Sequence, residues 1–199
     1  MSQVSMAELV VAVRAGQLIC FPTDTVPALA AAPTQAEQIY ALKQRQANKP
    51  LILMGAKAAD LWPFVQTENP AFSTWAEMAQ RYWPGALTLV LPGCNIPPAM
   101  TPLNPGTIGL RVPCHPLALA LLQQTGPLAT TSVNRSGLPA LTDVKEIETT
   151  FPQLLMPLAA EWQMNQETQP SLPSTVIAWT GQGWQTLRAG AVTLHGMTT

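Results

Sequence analysis

Short apolar runs, each stopped by proline or glycine, alternate with helix-patterned segments along this chain. That alternation limits the fold more than any other feature, because strands interleaved with helices build an α/β or α+β layer structure around a mixed sheet. Leu18 to Phe21 is apolar and halts at Pro22, which reads as a strand running into a loop. Residues 51–55 (LILMG), 86–91 (ALTLVL), 107–112 (TIGLRV) and 127–132 read the same way. Residues 6–15 carry Leu9, Val10 and Val13 at helical spacing, with Gly16 as the stop. The spacing predicts a second helix from Thr34 to Arg45, with Thr34 as N-cap and Glu37 completing a capping box. Helical patterns at 60–64 and 68–82 are interrupted by Pro63 and Pro70. Residues 115–124 predict an apolar helix with proline in its first turn, ended by Gly126, and 143–151 a short one. Residues 152–172 are rich in Pro and Gln and are expected to form a surface excursion. Ser174–Trp179 and Gln185–Ala189 predict a closing hairpin. The twenty prolines fall mostly at element ends, so one compact unit over 1–199 is expected.

Composition narrows the function. Only 11% of the 199 residues are charged and the net charge is −1. Intrinsic disorder is excluded, because disordered chains are polar and highly charged. A strongly basic, nonspecific nucleic-acid binder is disfavoured, since such affinity comes from many Lys and Arg contacts to phosphates. Cys20, Cys94 and Cys114 form no CxxC and no zinc spacing, and they read as small buried residues in a reducing compartment. The N-terminus lacks a basic region before an apolar core, and no apolar run reaches ten residues. A bilayer span needs about 20. A soluble, cytoplasmic protein is expected.

In so apolar a chain, polar clusters are costly unless exposed or used. Five stand out: 22–25 (PTDT), 43–51 (KQRQANKPL), Thr107 with Arg111, 130–137 (TTSVNRSG), and Ser174-Thr175 with Arg188. Six of the ten basic residues lie in them: Lys43, Arg45, Lys49, Arg111, Arg135 and Arg188. Most clusters sit at strand ends, where open α/β sheets bind ligands. Cations beside hydroxyl-rich loops suit a polyanion, with arginine forks on phosphate or carboxylate and hydroxyls on the remaining acceptors. Arg111 ends an apolar strand, where a charge needs a partner. Neither GxxxxGK[ST] nor GxGxxG is present. His115 reads as a helix-start residue without chemistry, His195 as a residue near a frayed end, and Trp83, Trp162 and Trp184 as packing residues.

At these clusters the chain resembles the YrdC/YciO family. The matching strings are PTDTVPAL (22–29), ALKQRQANKPL (41–51), YWPGALTLVLP (82–92), GTIGLRVPCHPLA (106–118), TTSVNRSGLPALT (130–142), PSTV (173–176) and LRAGAV (187–192). The resemblance implies an open twisted mixed sheet with flanking helices around a concave basic cavity. It implies synthesis of threonylcarbamoyl-AMP and pyrophosphate from L-threonine, bicarbonate and ATP. That product serves modification of adenosine 37 of tRNA through a separate transferase complex. Mg²⁺ with ATP and a monovalent cation are the implied cofactors, and some members bind double-stranded RNA.

Carried over by motif position, Thr25, Arg111, Ser132 and Ser174 would hold threonine or its carbamate. Arg45, Lys49, Thr107, Asn134, Thr142 and Arg188 would contact ATP, and Lys43 would add charge at the triphosphate. No protein nucleophile and no protein metal site is implied. Catalysis would be positioning and charge neutralisation, with Lys43, Arg45 and Arg111 as the cations. The chain departs from the family pattern at Pro27 and Ala28, where Tyr-Gly is usual, at Val133 within Ser-Val-Asn, and at Met54. These departures define the alternative, a divergent YciO-like paralogue that binds nucleotide or double-stranded RNA with little synthase activity.

Overall fold

The computed structural model describes residues 2–103, 106–163 and 172–194. Ten strands and six α-helices alternate through it, as the apolar runs predict. Strands β1 to β10 span Gln3–Val4, Ile19–Phe21, Ala28–Ala31, Ile52–Met54, Leu87–Pro92, Thr107–Arg111, Leu128–Ser132, Met156–Pro157, Thr175–Trp179 and Trp184–Arg188. Helices α1 to α6 span Met6–Arg14, Glu37–Lys43, Phe72–Tyr82, Pro116–Thr125, Val144–Thr150 and Ala159–Gln163. Eight strands form one mixed sheet in the order β10-β9-β5-β6-β4-β7-β3-β2, and β1 pairs with β8 beside it. Among the described residues no helix is long and apolar enough to cross a membrane.

The register decides which residues meet. Directly opposed residues share a sheet face. Met54 opposes Arg111, Ile52 opposes Thr130 and Gly109, and Ala28 opposes Ser132. Their chain neighbours Leu53, Leu110 and Ala129 point the other way, into the larger core. On that side α2, α3, α5 and α6 seal the sheet with Ile39, Trp75, Ile147 and Trp162. On the first face, α1 packs on α4, and together they cover Ile19, Phe21, Ala30 and Leu128. The remainder of that face is left open and becomes a cavity floor.

Helix ends follow local chemistry. Ser5 caps α1 in a reciprocal box with Glu8, one residue before the predicted start. Proline at N1 opens α4, and Gly126 ends it at φ 77°. Four expectations need correction. Thr34 is not an N-cap: Pro33 fixes φ and starts a 3₁₀ turn over Pro33–Gln35, so α2 begins only at Glu37, with no side-chain cap. In place of a helix at 60–64 there are 3₁₀ turns at Ala58–Asp60 and Trp62–Phe64, and α3 starts at Phe72, beyond Pro70. The segment after 151 is no surface excursion over 152–163, because Leu154, Met156 and Trp162 are fully buried and β8 pairs with β1; residues 164–171 lie outside the described residues. Of the cysteines only Cys20 is buried; Cys94 is partly exposed and Cys114 exposed, each in a loop between strands and helices. His195 also lies outside the described residues.

Candidate active site

The open part of the sheet face forms a cavity of about 430 Å³. Its floor is Ile52, Met54, Thr130 and Ala28; its walls bring Thr25, Arg45, Arg111, Ser132, Asn134, Ser174 and Arg188 together. Seven of the eleven carried-over residues therefore meet in one place. They come from strand ends and following loops that are remote in sequence, as the topology of an open sheet dictates.

One end of the cavity is built on Arg111. Only 2% exposed, it sits at the end of β6. Its NH2 donates to Asp24 Oδ1 at 2.7 Å, its NH1 to the Thr25 hydroxyl at 2.8 Å, and its Nε to the Gly85 carbonyl at 3.0 Å. Burial depresses the Arg111 pKa, and the Asp24 carboxylate opposes that. Thr25 is oriented by Thr23, whose hydroxyl accepts from the Thr25 amide at 3.1 Å and donates to the Val26 carbonyl at 2.8 Å. Asp24 was missed as a site residue; its place inside the PTDT string was the available signal.

Arg45 and Arg188 line the same cavity, and the charge of Arg188 also lowers the Arg111 pKa. Arg45 donates to the carbonyls of Lys49 and Pro50 at 2.8 and 3.1 Å. Arg188 donates to the Ser174 carbonyl at 2.8 Å and to its hydroxyl at 3.0 Å, and Ser174 also meets Thr88 at 2.9 Å. Both guanidinium groups have lowered pKa values through burial, and the charge of Arg188 lowers that of Arg45 further. Like charges gathered in one cavity, with carbonyl and hydroxyl partners, form a site that an anion would relieve.

Four carried-over residues stand elsewhere. Lys43 is behind the wall, 1% exposed, donating to the Ser132 carbonyl and to Asn134 Oδ1 at 2.7 Å. Ser132 Oγ donates to that same Oδ1 at 2.6 Å, and Asn134 Nδ2 donates to the Leu138 carbonyl at 2.6 Å. Burial pushes the Lys43 pKa down to about 7. Lys49 is exposed and contributes its carbonyl to Arg45. Thr107 shares the Arg111 face of β6 but lies four residues away, about 13 Å along the strand. Thr142 is exposed just before Asp143, the N-cap of α5.

The departures from the family pattern are milder in space than in sequence. Ala28 is extended within β3 and paired with Ser132, so the positive φ that glycine permits has no use there. Val133 is fully buried in the larger core, away from the cavity, and adds nothing to the loop's inner surface. Pro27 and Met54 do line the cavity. Trp83, Trp162 and Trp184 are packing residues, as expected: Trp83 stacks on Trp62, Trp184 meets Trp179 edge to face, and Trp162 is fully buried.

Known proteins are similar to this chain in sequence and fold. A Bacillus subtilis protein named threonylcarbamoyl-AMP synthase is 36% identical over 149 residues, 71% of this chain, which spans 42% of that protein's length. The crystal structure of Pyrococcus abyssi Sua5 complexed with L-threonine superposes with a TM-score of 0.82 at 31% identity, covering 93% of this chain and 54% of that one. Escherichia coli YciO superposes with a TM-score of 0.79 at 26% identity, covering 96% of this chain and 91% of that one. The family model for Sua5, YciO and YrdC proteins, described as "Telomere recombination", matches residues 11–190. By that match, and by the shared sheet and blocks, this chain belongs to the Sua5/YciO/YrdC family.

Proposed function

We propose that this protein is a threonylcarbamoyl-AMP synthase, making threonylcarbamoyl-AMP and pyrophosphate from L-threonine, bicarbonate and ATP, a nucleotidyl transfer that feeds tRNA modification. The carrying observation is that one cavity gathers a hydroxyl-flanked Arg111 with Arg45 and Arg188, the charge of Arg188 acting on both of the others. The relatives' names support the reaction, and the threonine bound in the Pyrococcus structure supports the amino acid.

In this reading Arg111 and Thr25 hold the amino-acid carboxylate, while Ser132 and Ser174 face the carbamate. Bicarbonate condenses with the amine to give N-carboxythreonine and water. A carboxylate oxygen of that carbamate then bonds to the α-phosphorus as pyrophosphate leaves. Arg45, Arg188 and Asn134 position the nucleotide, so catalysis is orientation plus charge neutralisation. Mg²⁺ would be held by the nucleotide phosphates rather than by Asp24, whose carboxylate is paired with Arg111. Bound there it would offset phosphate charge.

Purified protein with Mg²⁺, ATP, threonine and labelled bicarbonate tests the proposal. Pyrophosphate release dependent on both threonine and bicarbonate is expected. Nucleotide binding without that release would favour the YciO-like alternative and defeat this one.

A further inference from the structure

His115 caps α4 four residues after Arg111. Its ring is 3% exposed, yet neither Nδ1 nor Nε2 has a hydrogen-bond partner among the described residues. A buried imidazole with both nitrogens unsatisfied costs free energy unless some state of the protein uses it. Its neighbours define that state. The charge of Asp24 favours the imidazolium, burial opposes it more strongly, and the pKa of His115 is held below its ordinary value. Asp24 itself spends Oδ1 on Arg111, and no described group donates to its Oδ2. The charged and titratable groups facing His115 are thus Asp24 from the loop after β2 and, through it, Arg111 from the end of β6, with Cys114 as chain neighbour.

The difficulty lies at Arg111. A substrate carboxylate arriving there would share one guanidinium with Asp24, and two carboxylates so placed repel. We propose that His115 is the positioning residue that receives Asp24 when a substrate carboxylate takes Arg111. No covalent bond changes. Asp24 exchanges an Arg111 N–H donor for an imidazole N–H, and the imidazole takes one proton from solvent. The inference rests on the assignment of Arg111 to the threonine carboxylate.

The test is L-threonine binding to the full chain, by calorimetry near pH 7.5 in phosphate and in Tris, which differ in ionisation enthalpy. Binding is expected to take up close to one proton, so the apparent heat differs between buffers and affinity falls as pH rises. His115→Gln should abolish both effects and weaken binding about tenfold, the worth of one hydrogen bond to a charged group. Ring NMR of the unaltered protein gives a second readout independent of that variant's folding. The sequence has two histidines, so His195→Gln assigns the signals. On adding threonine the His115 ring should move to its imidazolium position. Threonine binding with equal heats and an unmoved His115 ring would overturn the exchange while leaving the threonine site intact. No threonine binding at all would overturn the assignment of Arg111, and this inference with it.

Discussion

Lys43 Nζ donates to Asn134 Oδ1 at 2.7 Å across 91 residues of sequence, from a position only 1% exposed. The same ammonium reaches the Ser132 carbonyl, so one buried lysine fixes two residues of the cavity wall. In the folded protein its pKa lies near 7 rather than 10.5. Between those values the unfolded chain binds more protons than the native one, so this group makes stability rise with pH across that window. Urea midpoints measured from about pH 6.5 to 9.5 should therefore shift in favour of wild type over Lys43→Met as pH increases. A pH-independent difference would contradict it.

The roles proposed for Arg111 and Arg188 should separate kinetically. Arg111→Ala should raise the threonine KM or lower threonine-dependent turnover by about a hundredfold, sparing ATP binding, and Arg188→Ala should do the reverse. Equal losses toward both substrates would undo the division. Arg111→Ala also strands the Asp24 carboxylate, and a denaturant melt should show about 3 kcal/mol of lost stability.

Gly190 is a position where added bulk has nowhere to go. A Cβ there would overlap the Pro173 carbonyl and the backbone of Ser174. Gly190→Ala should push Ser174 out of register with Arg188 and Thr88, costing about 1–3 kcal/mol and lowering turnover. Turnover unchanged from wild type would show that the Ser174 position is not used.

Core packing on the far face should be separable from the chemistry. Trp75 is fully buried between Phe72 and Trp179. Trp75→Ala should cost about 3–5 kcal/mol in a melt, with KM for both substrates unchanged in the folded fraction.

What could be read from the chain follows from where the physics is local. A charge ending the apolar run TIGLRV demands a partner, so Arg111 was legible. Its partner Asp24 was not, because the pairing spans 87 residues and depends on sheet order. Alanine-rich β3 carries no strand propensity of its own; its pairing with β2 and β7 imposes the conformation. The carried-over Lys49, Thr107 and Thr142 share blocks with cavity residues, but sequence proximity does not fix which way or how far a side chain reaches. Lys43 was expected at the triphosphate, and only the tertiary fold brings the 132–138 loop over it.

The strand order places β2 and β3 near one border of the sheet and β9 and β10 at the other, with the cavity drawing on both. During synthesis, then, Thr25 and Asp24 leave the ribosome long before Ser174 and Arg188 exist. At about 5–20 residues per second, the 77 residues from Arg111 to Arg188 take roughly 4–15 seconds, during which Arg45 and Arg111 have been made and Ser174 and Arg188 have not. On the proposed function, nucleotide affinity arises only in a chain translated through β10 and reports completed assembly of the sheet.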